Sequence, residues 1–171
     1  MLKCSTSLWS ADMANLAAEI RRVEDFSERF HLDVADGHYA PTMLFFPDLV
    51  SALRPCTKLP FEMHLMTAEP LEWIEPFAAA GADIIIFCLQ SARDPVAVLQ
   101  AIKAQGLKAG VSLEIGEGIE LLELLWGDLD VLTLLATAVG IKGAEMDESI
   151  PAKVRRVRQV VQERNLEVEI E

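Results

Sequence analysis

Phe30-His31-Leu32-Asp33-Val34 and, further on, Phe61-Glu62-Met63-His64-Leu65-Met66 read as two β-strands. Large apolar side chains alternate in them with polar or ionisable ones, and neighbouring side chains on a strand point to opposite faces. His31 and Asp33 therefore share one face of the first strand, and His64 and Met66 share one face of the second. Two imidazoles and a carboxylate at corresponding ends of adjacent strands suit one divalent metal ion, of the Zn, Fe, Mn or Co type. A hydrogen-bonded buried His beside a solvated Asp is the alternative.

Outward from this pair the same alternation continues. Further strands are expected at 4–8, 84–88, 107–113, 129–135 and 166–170, and helices lie between them. Ser10 is expected to N-cap the first helix, which carries Met13, Leu16, Ala17 and Ile20 at helical spacing. Other helices are expected at 48–53, from Pro70 to a close at 79–81, at 95–104 and at 118–125. A basic helix begins with Ser149 as N-cap and Pro151 as first residue and runs to about Arg164.

Strands alternating with helices imply right-handed βαβ units and a parallel sheet. The expected fold is therefore α/β, a (β/α)8 barrel with about seven strands and six helices in a single domain, 1–171. An open doubly wound sheet is the alternative. The first and last strands would be open edges, so the sequence is expected to be C-terminally incomplete, the front part of a longer chain.

A net charge of -12 argues against nucleic acid or an anionic membrane as partner. An anionic substrate would have to be attracted locally, by backbone amides, helix N-termini or a metal. No apolar run is long enough to span a membrane, and Met1-Leu2-Lys3-Cys4 shows no leader pattern. Cys4, Cys56 and Cys88 are odd in number and lack CxxC spacing, so free thiols in a reducing cytoplasm are expected.

The stretch from Phe30 to Pro41 resembles the H-x-D-V-M-D-G-x-F-V-P motif of the ribulose-phosphate 3-epimerase family. Ser7-Leu8-Trp9-Ser10-Ala11-Asp12 resembles its S-x-L-S-A-D, Glu62-Met63-His64-Leu65-Met66 its D-V-H-L-M, and Ala80-Gly81-Ala82-Asp83 its A-G-A-D. Glu169-Ile170-Glu171 is similar to the lead-in of its I-E-V-D-G-G. The resemblance implies a barrel that interconverts ribulose 5-phosphate and xylulose 5-phosphate, or acts on a hexulose 6-phosphate such as allulose 6-phosphate. It implies His31, Asp33 and His64 as metal ligands, Asp33 also as a catalytic acid/base, Ser7 as a substrate contact and Met66 as a pocket wall. Its second catalytic Asp would fall two positions after Glu171, so 171 residues alone are expected to show no epimerase turnover. A sugar phosphate is the expected ligand and a homo-oligomer the expected assembly.

Departures from the pattern are local. Ala35 replaces a Met, Cys88-Leu89-Gln90 replaces His-x-Glu, and Glu114-Ile115 replaces Asn-Pro. In the loop that closes over substrate and phosphate, 135–144, the surviving glycines are Gly140 and Gly143, read as substrate-binding. Lys142 is expected to be a solvated lysine, Cys88 a small buried apolar group, and His38 a loop residue. Glu114 either faces elsewhere or binds a substrate hydroxyl. Trp9, Trp73 and Trp126 are expected to pack rather than bind. A phosphosugar-binding barrel without turnover is the alternative function. A lyase or decarboxylase on this barrel type is disfavoured, because no D-x-K-x-x-D follows the second strand.

Overall fold

The computed structural model describes residues 3–171; Met1 and Leu2, part of the stretch read for a leader, lie outside the described residues. Eight strands are present: β1 (Ser5–Ser7), β2 (Arg29–Asp36), β3 (Met43–Leu44), β4 (Phe61–Met66), β5 (Ile84–Cys88), β6 (Lys108–Leu113), β7 (Val131–Leu134) and β8 (Glu169–Ile170). The helices are α1 (Leu16–Val23), α2 (Pro47–Leu53), α3 (Ile74–Ala80), α4 (Pro95–Ala104) and α5 (Ile150–Glu163). The order β1-β2-β4-β5-β6-β7-β8 runs parallel throughout, and β3 adds antiparallel to the end of β2.

The sheet is curled, not open. Laid flat at about 4.8 Å per strand, β2 and β8 would lie about 24 Å apart. Yet Arg29 on β2 bonds Glu169 on β8, and its Nη1 lies 3.1 Å from Glu171 Oε1. Only a wall bent into a barrel brings these side chains together, and this excludes the doubly wound alternative.

Alternation along each strand gives the wall two unlike faces. Phe30, Leu32 and Val34 of β2, Phe61, Met63 and Leu65 of β4, and Ile85 and Phe87 of β5 belong to the main core. They share that core with Leu16 and Ile20 of α1, Val50 and Leu53 of α2, Phe77 of α3 and Leu99 and Ile102 of α4. Each such side chain contributes about 1.5–3 kcal/mol on burial. The opposite, inner face carries Arg29, His31 and Asp33 on β2, Glu62 and His64 on β4, and Ser112 on β6. Ile84, Ile86 and Val131 form a small apolar group of their own. An inner face so rich in charge departs from the branched apolar filling usual in such barrels.

Several local expectations are corrected. Ser10 does not cap the first helix. Asp12 instead caps a 3-10 turn, Met13–Asn15, accepting from Ala14 N at 3.0 Å, and α1 follows with Asn15 at its N-cap and no side-chain cap bond. Ser149 stands at the N-cap of α5 as expected, but its hydroxyl donates to Asp147 Oδ1 at 2.5 Å and not to the helix, and the helix starts at Ile150, placing Pro151 one residue in. The helix expected at 118–125 is a 3-10 turn, Ile119–Leu122, so the described residues hold five α-helices and not six. Bonds of the i→i+3 type, such as Leu125 N to Leu122 O, tighten this glycine-flanked segment and bury Leu122, Leu125 and Trp126. The strand expected at 166–170 narrows to Glu169–Ile170.

Gly81 closes α3 in the left-handed region, at φ +100°, with its amide bonded to Ala78 and Phe77 carbonyls. A Cβ there would sit 2.7 Å from Arg54 Cδ. Arg54 is not free to yield: it stacks 3.8 Å over Phe61 and donates to the carbonyls of Thr57, Leu59 and Gly81. Gly81→Ala is therefore expected to lose about 1–3 kcal/mol, read as a lower urea midpoint with unchanged slope.

Candidate metal centre

The β2–β4 register sets Asp33 directly opposite His64 and His31 opposite Glu62. Four inward side chains thus meet in two rows. In the upper row, Asp33 Oδ1 lies 3.2 Å from His31 Nε2 and 3.5 Å from His64 Nδ1. Donors held by one tetrahedral ion at about 2.1 Å are themselves about 3.4 Å apart. The three residues therefore fit a divalent ion in donor type and in spacing, and their donor atoms all lie within 4.8 Å of one another.

Each donor is held from behind. His31 Nδ1 donates to Glu62 Oε1 at 2.7 Å. His64 Nε2 meets Ser112 Oγ at 2.9 Å, and Ser112 donates onward to Cys88 Sγ at 3.5 Å. Ser7 Oγ donates to Asp33 Oδ2 at 2.8 Å. Without an ion, burial disfavours a charged His31, but hydrogen bonds to Asp33 and Glu62 outweigh it and raise its pKa to about 10. Burial lowers that of His64, with the charge of His31 adding, so this ring is neutral. Asp33 is pushed up by burial and held well below the usual carboxylate range by bonds from both imidazoles.

Ser7, His31, Asp33, His64, Met66 and Gly140 line one cavity of about 230 Å³. The structure thus brings together every residue singled out for the site except Gly143, which is exposed in a turn at φ +77° outside this cavity. Gly140, at φ +69°, packs so closely on the loop after β2 that a Cβ would lie 2.7 Å from Ala40 Cβ. Trp9, expected to serve packing, is half-buried and lines the cavity. Trp73 stacks near Phe77, and Trp126 is buried in the core.

The altered positions also find places. Lys142 is exposed and donates to Trp9 O at 3.4 Å. Glu114 is not among the residues lining the cavity and accepts from Tyr39 OH. Cys88 is buried, and burial pushes its thiol up to about 12, so it stays neutral. His38 is an exposed loop residue whose amide donates to Asp36 Oδ1 at 2.8 Å.

Glu62, Arg29 and Ser112 escaped the reading of the sequence. The two-residue step that pairs His31 with Asp33 also pairs Glu62 with His64, and it carries the signal for Glu62. The partners of Arg29 and Ser112 come from distant strands, and no spacing marks them. Of the acid/base carboxylates implied by the resemblance, the geometry bears on Asp33.

Comparison with known proteins bears on family and fold. The model of the ribulose-phosphate 3 epimerase family matches residues 3–171. The ribulose-phosphate 3-epimerase of Bacillus subtilis is 37% identical over 165 residues, covering 96% of this chain and 76% of that protein. That of Rhodobacter capsulatus is 32% identical over 171 residues, covering 99% of this chain and 75% of its own length. Among solved structures, a mutant tryptophan synthase alpha-subunit from Pyrococcus furiosus superimposes with a TM-score of 0.69 at 13% identity. It covers 100% of this chain and 79% of that one, a likeness of fold alone.

Proposed function

Since the chain belongs to the ribulose-phosphate 3-epimerase family, we propose that it serves as a metal-dependent epimerase, inverting C3 of a ketose phosphate. The observation that carries this reading is the spacing of His31, Asp33 and His64 around one point, in a cavity shared with Ser7, Met66 and Gly140. Inversion beside a ketone needs a base that takes the C3 proton from one face, stabilisation of the enediolate that follows, and an acid that returns a proton to the other face, the role of the second carboxylate that the resemblance implies. Asp33 supplies the base. Its Oδ1 is turned to the two imidazoles, which leaves Oδ2, steered by Ser7 Oγ, to take the C3 proton. His31, Asp33 and His64 would hold a divalent ion, which would supply Lewis-acid stabilisation of the developing negative charge.

The cavity is smaller than the roughly 300–1,000 Å³ of sites for drug-sized ligands, which suits a small polar substrate. Ribulose 5-phosphate or a hexulose 6-phosphate fits this reading, with Gly140 as a backbone contact and Met66 as an apolar wall. Among the described residues no helix is long and apolar enough to cross a membrane. Three free cysteines suit a reducing compartment, and we place the protein in the cytoplasm.

The test is hydrogen exchange at C3 in heavy water, followed by NMR, with metal-loaded protein and candidate ketose phosphates. Exchange is expected, since removal and return of the proton on one face need Asp33 alone, whereas net inversion needs the second carboxylate; it should fall about 100-fold or more after chelation and recover on adding Zn, Fe, Mn or Co. Metal binding without exchange on any pentulose or hexulose phosphate would favour the binding-only barrel instead.

A further inference from the structure

Resting on that reading of the metal centre, we propose that Glu62, braced by Arg29, is a positioning residue that fixes which ring nitrogen His31 offers to the ion. Glu62 is fully buried, at 0% exposure, in the row beneath the candidate ligands. Its Oε1 accepts from His31 Nδ1 at 2.7 Å and from Ser5 Oγ at 3.2 Å, while Oε2 accepts from Arg29 Nη1 at 2.6 Å. Both carboxylate oxygens are therefore engaged, and rotation of Glu62 would break bonds at both ends.

An imidazole can present either nitrogen to a metal, and the hydrogen bond at the other decides which. With Nδ1–H committed to Glu62, His31 presents Nε2, the atom that lies 3.2 Å from Asp33 Oδ1. A carboxylate behind the ring also makes the liganding nitrogen more basic. Behind His64 Nε2 stand two neutral groups, the Ser112 hydroxyl at 2.9 Å and Cys88 Sγ at 3.6 Å, and no carboxylate, so the two imidazoles are unequal donors and His31 is the stronger.

His31, Glu62 and Glu171 form a second group with metal-ligand spacing. That group already holds a cation. Arg29 Nη1 lies 2.6 Å from Glu62 and 3.1 Å from Glu171, and Arg29 also bonds Glu169. The guanidinium occupies the lower row, which leaves Glu62 to act through His31 and not as a ligand.

Zinc and cobalt affinities measured by competition with a chelator test the proposal. Glu62→Gln keeps shape and removes charge, and it is expected to bind either ion about 10–100-fold more weakly. Glu62→Asp keeps the charge and is expected to recover most of that loss. An unchanged affinity in E62Q, or equal losses in E62Q and E62D, overturns the proposal. Nitrogen NMR of the zinc-loaded wild type needs no variant: His31 is expected metallated at Nε2 and protonated at Nδ1, and the reverse assignment overturns it. A wild type that binds neither ion defeats the metal-centre reading itself, and this inference with it.

Discussion

Asp33→Asn is expected to lower C3 proton exchange by about 10²–10⁴-fold while the chain still folds. Asparagine has nearly the same shape, so the contact with Ser7 and the β2–β4 register can persist. What it lacks is a basic oxygen for the proton and the negative charge between two imidazoles. Loss of the charge is expected to weaken metal binding too, so exchange must be measured at saturating metal to isolate the base. Circular dichroism and the urea midpoint report whether the fold survives. Exchange within a few-fold of wild type at saturating metal would show that Asp33 is not the base.

The second large effect concerns stability. Arg29→Met is expected to cost about 3–5 kcal/mol at neutral pH, because it strips the guanidinium from Glu62, Glu169 and Glu171 and leaves buried charge uncompensated. Methionine fills most of the stem's volume, so packing contributes little to the loss. With a slope of about 1–3 kcal/mol per molar urea, the midpoint should fall by more than 1 M. Adding Glu62→Gln should return part of the loss, because it removes the most buried of the stranded carboxylates. The deficit should also shrink as pH falls and the carboxylates take up protons. A deficit that is small and independent of pH would mean that the lower row is solvated.

The barrel was legible because strand and helix periods alternate along the chain, and because His31, Asp33 and His64 fall on matching strand positions. The same logic failed where geometry is non-local. Nothing near Arg29 in sequence announces that it will meet Glu169 on a strand at the far end of the sheet. Local capping failed for another reason. Ser10 is followed by a 3-10 turn that Asp12 caps, and this turn comes before α1, which carries the buried Leu16 and Ile20. At 118–125 the apolar spacing is that of a helix, but the segment is flanked by Gly118 and Gly127 and closes with i→i+3 bonds into a tighter turn.

The bridge between β2 and β8 has a kinetic consequence. Arg29 and Glu62 are 33 residues apart, whereas Arg29 and Glu169 are 140 apart. Closing the longer loop costs about 1.3 kcal/mol more in chain entropy. The β2–α2–β4 unit can therefore assemble early, placing His31, Asp33 and His64 together while the far end of the sheet is still unformed. In that interval Arg29 would balance Glu62 alone, and the arrival of β8 would add Glu169 and Glu171 to a cation already in place. Folding order and charge order then coincide: the ligands come first, and the carboxylates that complete the row beneath them come last.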